Sequence, residues 1–132
     1  MKMKRILLVK ALLEQNLEKQ ILEALFEVNK VAVFTVENCT EAKKRIIKEN
    51  FSLIIYNFRI LEGCCIFMAA RHAHGDDFFP ELYLVDKVGL EELKFLLDHT
   101  SKNFKKEVLG KNVLRKPFSM DEFKKKVSEI ED

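Results

Sequence analysis

A chain of 132 residues with 23 basic and 21 acidic side chains, a formal charge of +2, eleven phenylalanines and no tryptophan has the size and apolar content of one domain around one core. The near-balance of charge argues against strong attraction to nucleic acid or to an anionic membrane, and every apolar run falls far short of the ~20 residues that span a bilayer. Cys39, Cys64 and Cys65 are odd in number and two are adjacent, a pattern of reduced thiols rather than a disulfide framework, and Lys10 and Glu14 interrupt the only stretch resembling a secretory leader, so a cytoplasmic protein is expected.

Taken in chain order, Ile6–Val9 is a continuous apolar run and reads as a strand buried on both faces. Leu13, Leu17, Ile21, Leu25 and Val28 then recur at spacings of four and three, which predicts an amphipathic helix. Val31–Val36 is the second strand. Thr40 is placed as the N-cap of a second helix, with Ala42, Ile46 and Ile47 set against Lys43, Lys44, Arg45 and Lys48. Leu53–Tyr56 is the third strand, followed by a helical pattern over Cys64–Ala70 and a polar loop over His72–Pro80. Leu82–Val85 is the fourth strand, and Leu90, Leu93, Leu96 and Leu97 mark the next helix. Thr100–Asn112 reads as a loop, longer than a compact connection needs. Val113–Leu114 closes the set, and Ser119-x-x-Glu122 is a capping box opening a last helix that carries Phe123, Val127 and Ile130 on one face.

Strand and helix alternate five times. That predicts an α/β fold over residues 1–132: a doubly wound, five-stranded parallel sheet of flavodoxin-like order 2-1-3-4-5 with the first strand central. In such a sheet the functional crevice lies at the carboxyl ends of the strands.

The stretch Lys116-Pro117-Phe118, together with the strand rhythm, resembles the last strand-to-helix junction of response-regulator receiver domains. The resemblance implies a pocket in which two acids after strand 1 hold Mg²⁺, an Asp ending strand 3 accepts a phosphoryl group, a Thr or Ser ends strand 4, and a Lys precedes a cis-bonded proline. In this chain those positions read Lys10 and Ala11, Asn57, Val85 and Lys116, and Val113 falls where many receivers keep a switch aromatic. An ammonium and a methyl cannot ligate a hard cation, and an amide cannot replace a carboxylate nucleophile. Lys116 alone is retained. The chain is therefore identified as a degenerate receiver, or pseudo-receiver, without catalysis, metal or cofactor.

The expectation that follows is a phosphorylation-independent protein-interaction module of bacterial-type two-component signalling or transcriptional regulation. Its partner is a signalling protein, an effector domain of its own or a second copy of the chain, with no direct contact to nucleic acid or membrane. The resemblance places the contact surface on Glu91, Lys94, Phe95 and Asp98, on Arg115 and Phe118, and on Glu122, Lys124 and Lys125. Two rivals are a phosphoacceptor role for Asp86 and a small-ligand or anion sensor using the crevice between Lys10 and Lys116. Two ammonium groups ~4 Å apart would repel by roughly 4 kcal/mol at an effective dielectric of about 20. Either Asp86 supplies a counter-charge or Lys10 turns to solvent. His72 and His74 with Asp76 and Asp77 read as a solvated loop rather than a metal site, and the two lysine-rich runs as solvated helix faces.

Overall fold

The structure, a computed structural model, describes residues 4–27, 31–59 and 81–131. Its elements are β1 (Lys4–Val9), α1 (Gln15–Phe26), β2 (Val31–Val36), α2 (Cys39–Lys48), β3 (Leu53–Asn57), β4 (Glu81–Val85), α3 (Lys87–Leu97), α4 (Lys102–Lys111), β5 (Val113–Arg115) and α5 (Met120–Glu131). The five strands form one parallel sheet in the order β2-β1-β3-β4-β5. As expected, β1 is interior, flanked by β2 and β3; the middle strand is β3.

Alternation along the strands divides the apolar residues between two faces. Leu7, Val9, Ile54, Tyr56, Tyr83 and Val85 face Ala42 and Ile46 of α2, Leu93 and Leu97 of α3, and Val108 of α4. Ile6, Leu8, Leu53, Ile55, Leu82 and Leu84 face Ile21, Ala24 and Leu25 of α1 and Phe123, Val127 and Ile130 of α5. Every residue of β3 and β4 is buried, whereas the edge strand β2 is only partly covered. This is why the inner strands read as unbroken apolar runs.

Several boundaries differ from the sequence reading. Asn38, not Thr40, caps α2, its Oδ1 accepting from the Glu41 backbone N–H at 2.9 Å, and Ile47 is 61% exposed while Ile46 is buried. The capping box at Ser119 forms in both directions at 3.1 Å. Val28, the helical pattern over 64–70 and the loop over 72–80 lie outside the described residues. Cys39 is buried and disulfide-bonded, against the expectation of three reduced thiols; its partner is not among the described residues. Sequence spacing alone does not reveal that two distant cysteines meet.

The larger correction is α4. The segment 100–112 is not a loop. Ser101 Oγ accepts from the Phe104 N–H at 3.2 Å and starts a helix whose Phe104 and Val108, four residues apart, turn toward the core. α4 packs on α3, β5 and α5, held by the Lys105–Asp98 ion pair on one side and by Lys126 Nζ on the Gly110 carbonyl, 3.4 Å, on the other. The crossover between β4 and β5 therefore contains two helices. Ser101→Ala is expected to lower stability by about 1 kcal/mol in denaturant unfolding, the usual cost of a lost N-cap. An unchanged midpoint would show that the cap does not hold α4.

At the other end of the sheet, Arg5 and Arg45 converge on Glu49, with Arg45 Nε 2.8 Å from its carboxylate. Both guanidinium groups lie about 5 Å from the rings of Phe34 and Phe51. The two arginines hold the Glu49 carboxyl down at about 2. This polar–aromatic clasp ties β1 to α2 and the α2–β3 connection, away from the strand ends that carry the site.

Candidate functional site

The carboxyl ends of β1, β3, β4 and β5 are brought together by the ladder itself. Lys116 N–H donates to the Val85 carbonyl at 2.8 Å and Phe58 N–H to the Leu84 carbonyl at 3.0 Å, so β5 and β3 end beside β4 in register. The peptide bond between Lys116 and Pro117 is cis. Besides that backbone bond to Val85, the structure joins one pair of side chains among the five vestigial pocket residues: the Lys116 ammonium donates to Asn57 Oδ1. Asn57 is buried at 6% exposure and Val85 is fully buried. Where a receiver's chemistry needs an anionic oxygen, this chain holds a neutral amide, already engaged by the lysine.

Lys10 is not part of that contact. Its ammonium turns to Glu18 Oε1 at 3.2 Å and Glu37 Oε1 at 3.3 Å, and the hydrogen bonds it donates to these two carboxylates raise its pKa. The expected crowding of two ammonium groups is relieved in this way, so an anion clamp between Lys10 and Lys116 is not assembled. Ala11 packs against the α2–α3 side of the core. Val113, at the switch-aromatic position, is partly buried there as well.

Asp86 has a structural task. It is the N-cap of α3, its Oδ1 accepting from the Gly89 N–H at 2.7 Å. That backbone hydrogen bond, helped by the charges of Arg59 and Lys116, lowers its pKa. A capping carboxylate bound to a helix amide is poorly placed as a phosphoacceptor. Toward Lys116 it acts at a distance without forming an ion pair. Burial pushes the Lys116 pKa down, while Asp86 and Glu14 pull it up.

The surface expected for a partner is largely engaged within the domain. Asp98 pairs with Lys105, Lys124 with Glu27, and Glu91 with Lys94 at 3.6 Å. Glu122 belongs to the capping box, and Phe118 stacks on Phe123 at 6.1 Å. Arg115 and Lys125 are exposed. Phe95 is 64% exposed, edge-on to His99 at 5.4 Å and on the same helix as exposed Val88.

Sequence reasoning missed a buried polar cluster behind the pocket. Glu81, which the sequence reading left between the loop ending at Pro80 and the strand starting at Leu82, opens β4 and is fully buried. The Tyr83 hydroxyl donates to its Oε2, and Asn112 Nδ2 donates to its backbone carbonyl at 2.8 Å. Glu81 Oε1 and Asn112 Oδ1 have no partner. Desolvation raises the Glu81 carboxyl to about 8, against smaller opposing effects of the Tyr83 and Tyr56 hydroxyls. The alternation Glu81-x-Tyr83 facing Tyr56 in the ladder was the available signal.

No protein-family model and no curated protein matches the chain. Solved structures do. A response-regulator CheY-like protein of Mesorhizobium loti aligns with a TM-score of 0.68 at 16% identity, covering 99% of this chain and all of the other. SdrG of Sphingomonas melonis aligns at 0.61 with 22% identity over 97% of this chain and 96% of its own. A structure described as adenylate cyclase from Rhodopirellula baltica aligns at 0.60 with 24% identity over 97% and 87%. At these identities the likeness is one of fold: the chain has the CheY-like, flavodoxin-like architecture. No helix among the described residues is long and apolar enough to cross a membrane.

Proposed function

We propose that this domain is a receiver-like protein-interaction module that works without phosphorylation. The observation that carries the reading is the Asn57–Lys116 hydrogen bond. In a phosphorylatable pocket the lysine is held ready for an anion, whereas here a neutral amide at the end of β3, across β4 from β5, takes it. Around it the acids that would hold Mg²⁺ are Lys10 and Ala11, the hydroxyl is Val85, and Asp86 is committed to α3. Without a ligand that binds two conformations unequally, no population shift is available. The domain then offers its partner one constant surface, and occupancy by the partner is the regulated quantity.

The surface that fits this role is the outer side of α3, where Val88 and Phe95 are exposed at 53% and 64%. Aromatic side chains of this kind are enriched among interface anchors. α4 fills the seam between α3 and α5, so a partner meets α3 and α4 together rather than α3, β5 and α5. The test is an amide NMR titration with Mg²⁺ and then beryllofluoride. The expected result is no change at Asn57, Val85 or Lys116. A Mg²⁺-dependent shift at those three residues would contradict the proposal.

A further inference from the structure

Between the β1–α1 turn and the turn after β5 lies a groove of about 360 Å³, lined by Leu12, Glu14, Asn16, Leu17, Gln20 and the Lys116–Phe118 turn. Its volume falls at the small end of the ~300–1,000 Å³ typical of ligand sites, and its make-up, an apolar wall with a few polar groups, is the usual one. Lys10 is not part of it, and none of the residues of the proposed partner surface except Phe118 lines it.

Two charges of opposite sign meet this groove without meeting each other. The Lys116 ammonium is half-buried and spends one of its three donors on Asn57. No carboxylate among the described residues pairs with it; Glu14 reaches it only through space. Glu14 is the N-cap residue of α1, yet its side chain makes no capping bond, which leaves the carboxylate free at the groove's rim. Other half-buried lysines behave differently: Lys10 and Lys124 are each taken up by carboxylates.

The wall itself is unusual. Leu12 has φ 67°, the one non-glycine residue among those described in the left-handed region, and it is 43% exposed. That conformation is strained for a side-chain-bearing residue and persists where the surroundings over-determine it, commonly at ligand sites. Here it turns an apolar side chain toward the groove rather than into the core. Leu17 and Phe118, both partly buried against the α1–α5 side of the core, complete the apolar surface.

We propose that the groove binds a free amino acid with an apolar side chain, its carboxylate on the Lys116 ammonium, its ammonium group on the Glu14 carboxylate, and its side chain against Leu12, Leu17 and Phe118. A single cation does not suit a nucleotide's several phosphates, and the volume suits a single residue. The amides of Asn16 and Gln20 supply further hydrogen-bonding groups at the rim. The proposal goes beyond the interaction reading and does not rest on it: the groove keeps its two charges whether or not a partner covers α3.

The experiment is an amide NMR and calorimetric titration with L-leucine and L-phenylalanine. It is run beside 4-methylpentanoate, which is leucine lacking its amine, and 3-methylbutylamine, which lacks the carboxylate. Saturable shifts at Leu12, Leu17, Gln20 and Phe118 are expected for the amino acids, with affinity about tenfold or more above either analogue, equivalent to roughly 1.4 kcal/mol. Glu14→Gln, at an exposed position, is expected to abolish the preference for leucine over 4-methylpentanoate. Leu12→Gly, which removes the wall and relieves the backbone, is expected to weaken both amino acids while the fold is kept. Absence of shifts in the groove, shifts elsewhere only, or equal affinity for leucine and its two analogues would overturn the proposal.

Discussion

Replacing Glu81 with glutamine is expected to stabilise the domain strongly at alkaline pH and hardly at all near pH 4. The carboxyl is fully buried with its pKa raised to about 8 by desolvation. In the unfolded chain it titrates at an ordinary value, near 4.5. Below that value both states hold the proton and its contribution is at its most favourable. Between about 4.5 and about 8 the folded state retains a proton that the unfolded state has released, so stability falls as pH rises. Above about 8 the loss is complete, because the folded protein must carry an uncompensated buried carboxylate. At about 1.4 kcal/mol for each pH unit of separation, the full loss is on the order of 5 kcal/mol, a large part of a domain's usual stability of ~5–15 kcal/mol.

The groups facing Glu81 in that interior are the Tyr83 and Tyr56 hydroxyls and the Asn112 amide, and none is cationic. Glutamine keeps the shape and cannot ionise. Denaturant unfolding of the two proteins across pH 5–9 should therefore give curves that diverge up to about pH 8 and keep a constant gap above it, the wild type lying below the variant. Parallel curves would mean that the carboxylate finds a counter-charge when ionised.

Two glycine-to-alanine changes should have opposite signs. At Gly89 in the first turn of α3, an added Cβ would meet the Phe58 carbonyl oxygen at 2.7 Å. Backbone cannot move aside as a flexible side chain can, so α3 must shift, and with it the Asp86 cap. Overpacking of this kind costs typically 1–3 kcal/mol, against which alanine's better helix propensity returns up to about 1 kcal/mol. A net loss of about 1–2 kcal/mol is expected for Gly89→Ala. At Gly110 in α4 the same methyl meets nothing within 4 Å, so the propensity gain stands alone and Gly110→Ala should stabilise by about 0.5–1 kcal/mol. Equal effects at both sites in denaturant unfolding would contradict the close approach of α3 to the end of β3.

The sheet was legible because burial on both faces leaves a mark in one dimension. Ile6–Val9 and Leu53–Tyr56 are apolar without a break, and the structure buries each completely. The strand-end positions were legible through the resemblance to receiver domains, which places pocket residues where parallel strands end, so Asn57 and Lys116 were set in one crevice before their contact was seen. α4 was not legible, since a ten-residue helix with Phe104, Val108 and Leu109 turned inward among polar residues carries too little periodicity to stand out from a polar loop. The course of the Lys10 side chain was equally hidden. It depends on Glu18 of α1 and Glu37 in the turn after β2, which converge only once α1 has packed beside β2. Glu81 was assigned no role by its sequence alone, and its burial with the Tyr83 and Tyr56 hydroxyls emerges only in the fold.

The most direct test of phosphorylation independence is the intact mass of the protein after incubation with acetyl phosphate and Mg²⁺, compared with a phosphorylatable receiver treated in parallel. With Asn57 as the residue facing Lys116 and Asp86 bound to the α3 amide, the predicted result is an unchanged mass while the control gains one phosphoryl group. A Mg²⁺-dependent gain of one phosphoryl group on this chain, mapped to Asp86 or to any other acid at the strand ends, would contradict the account.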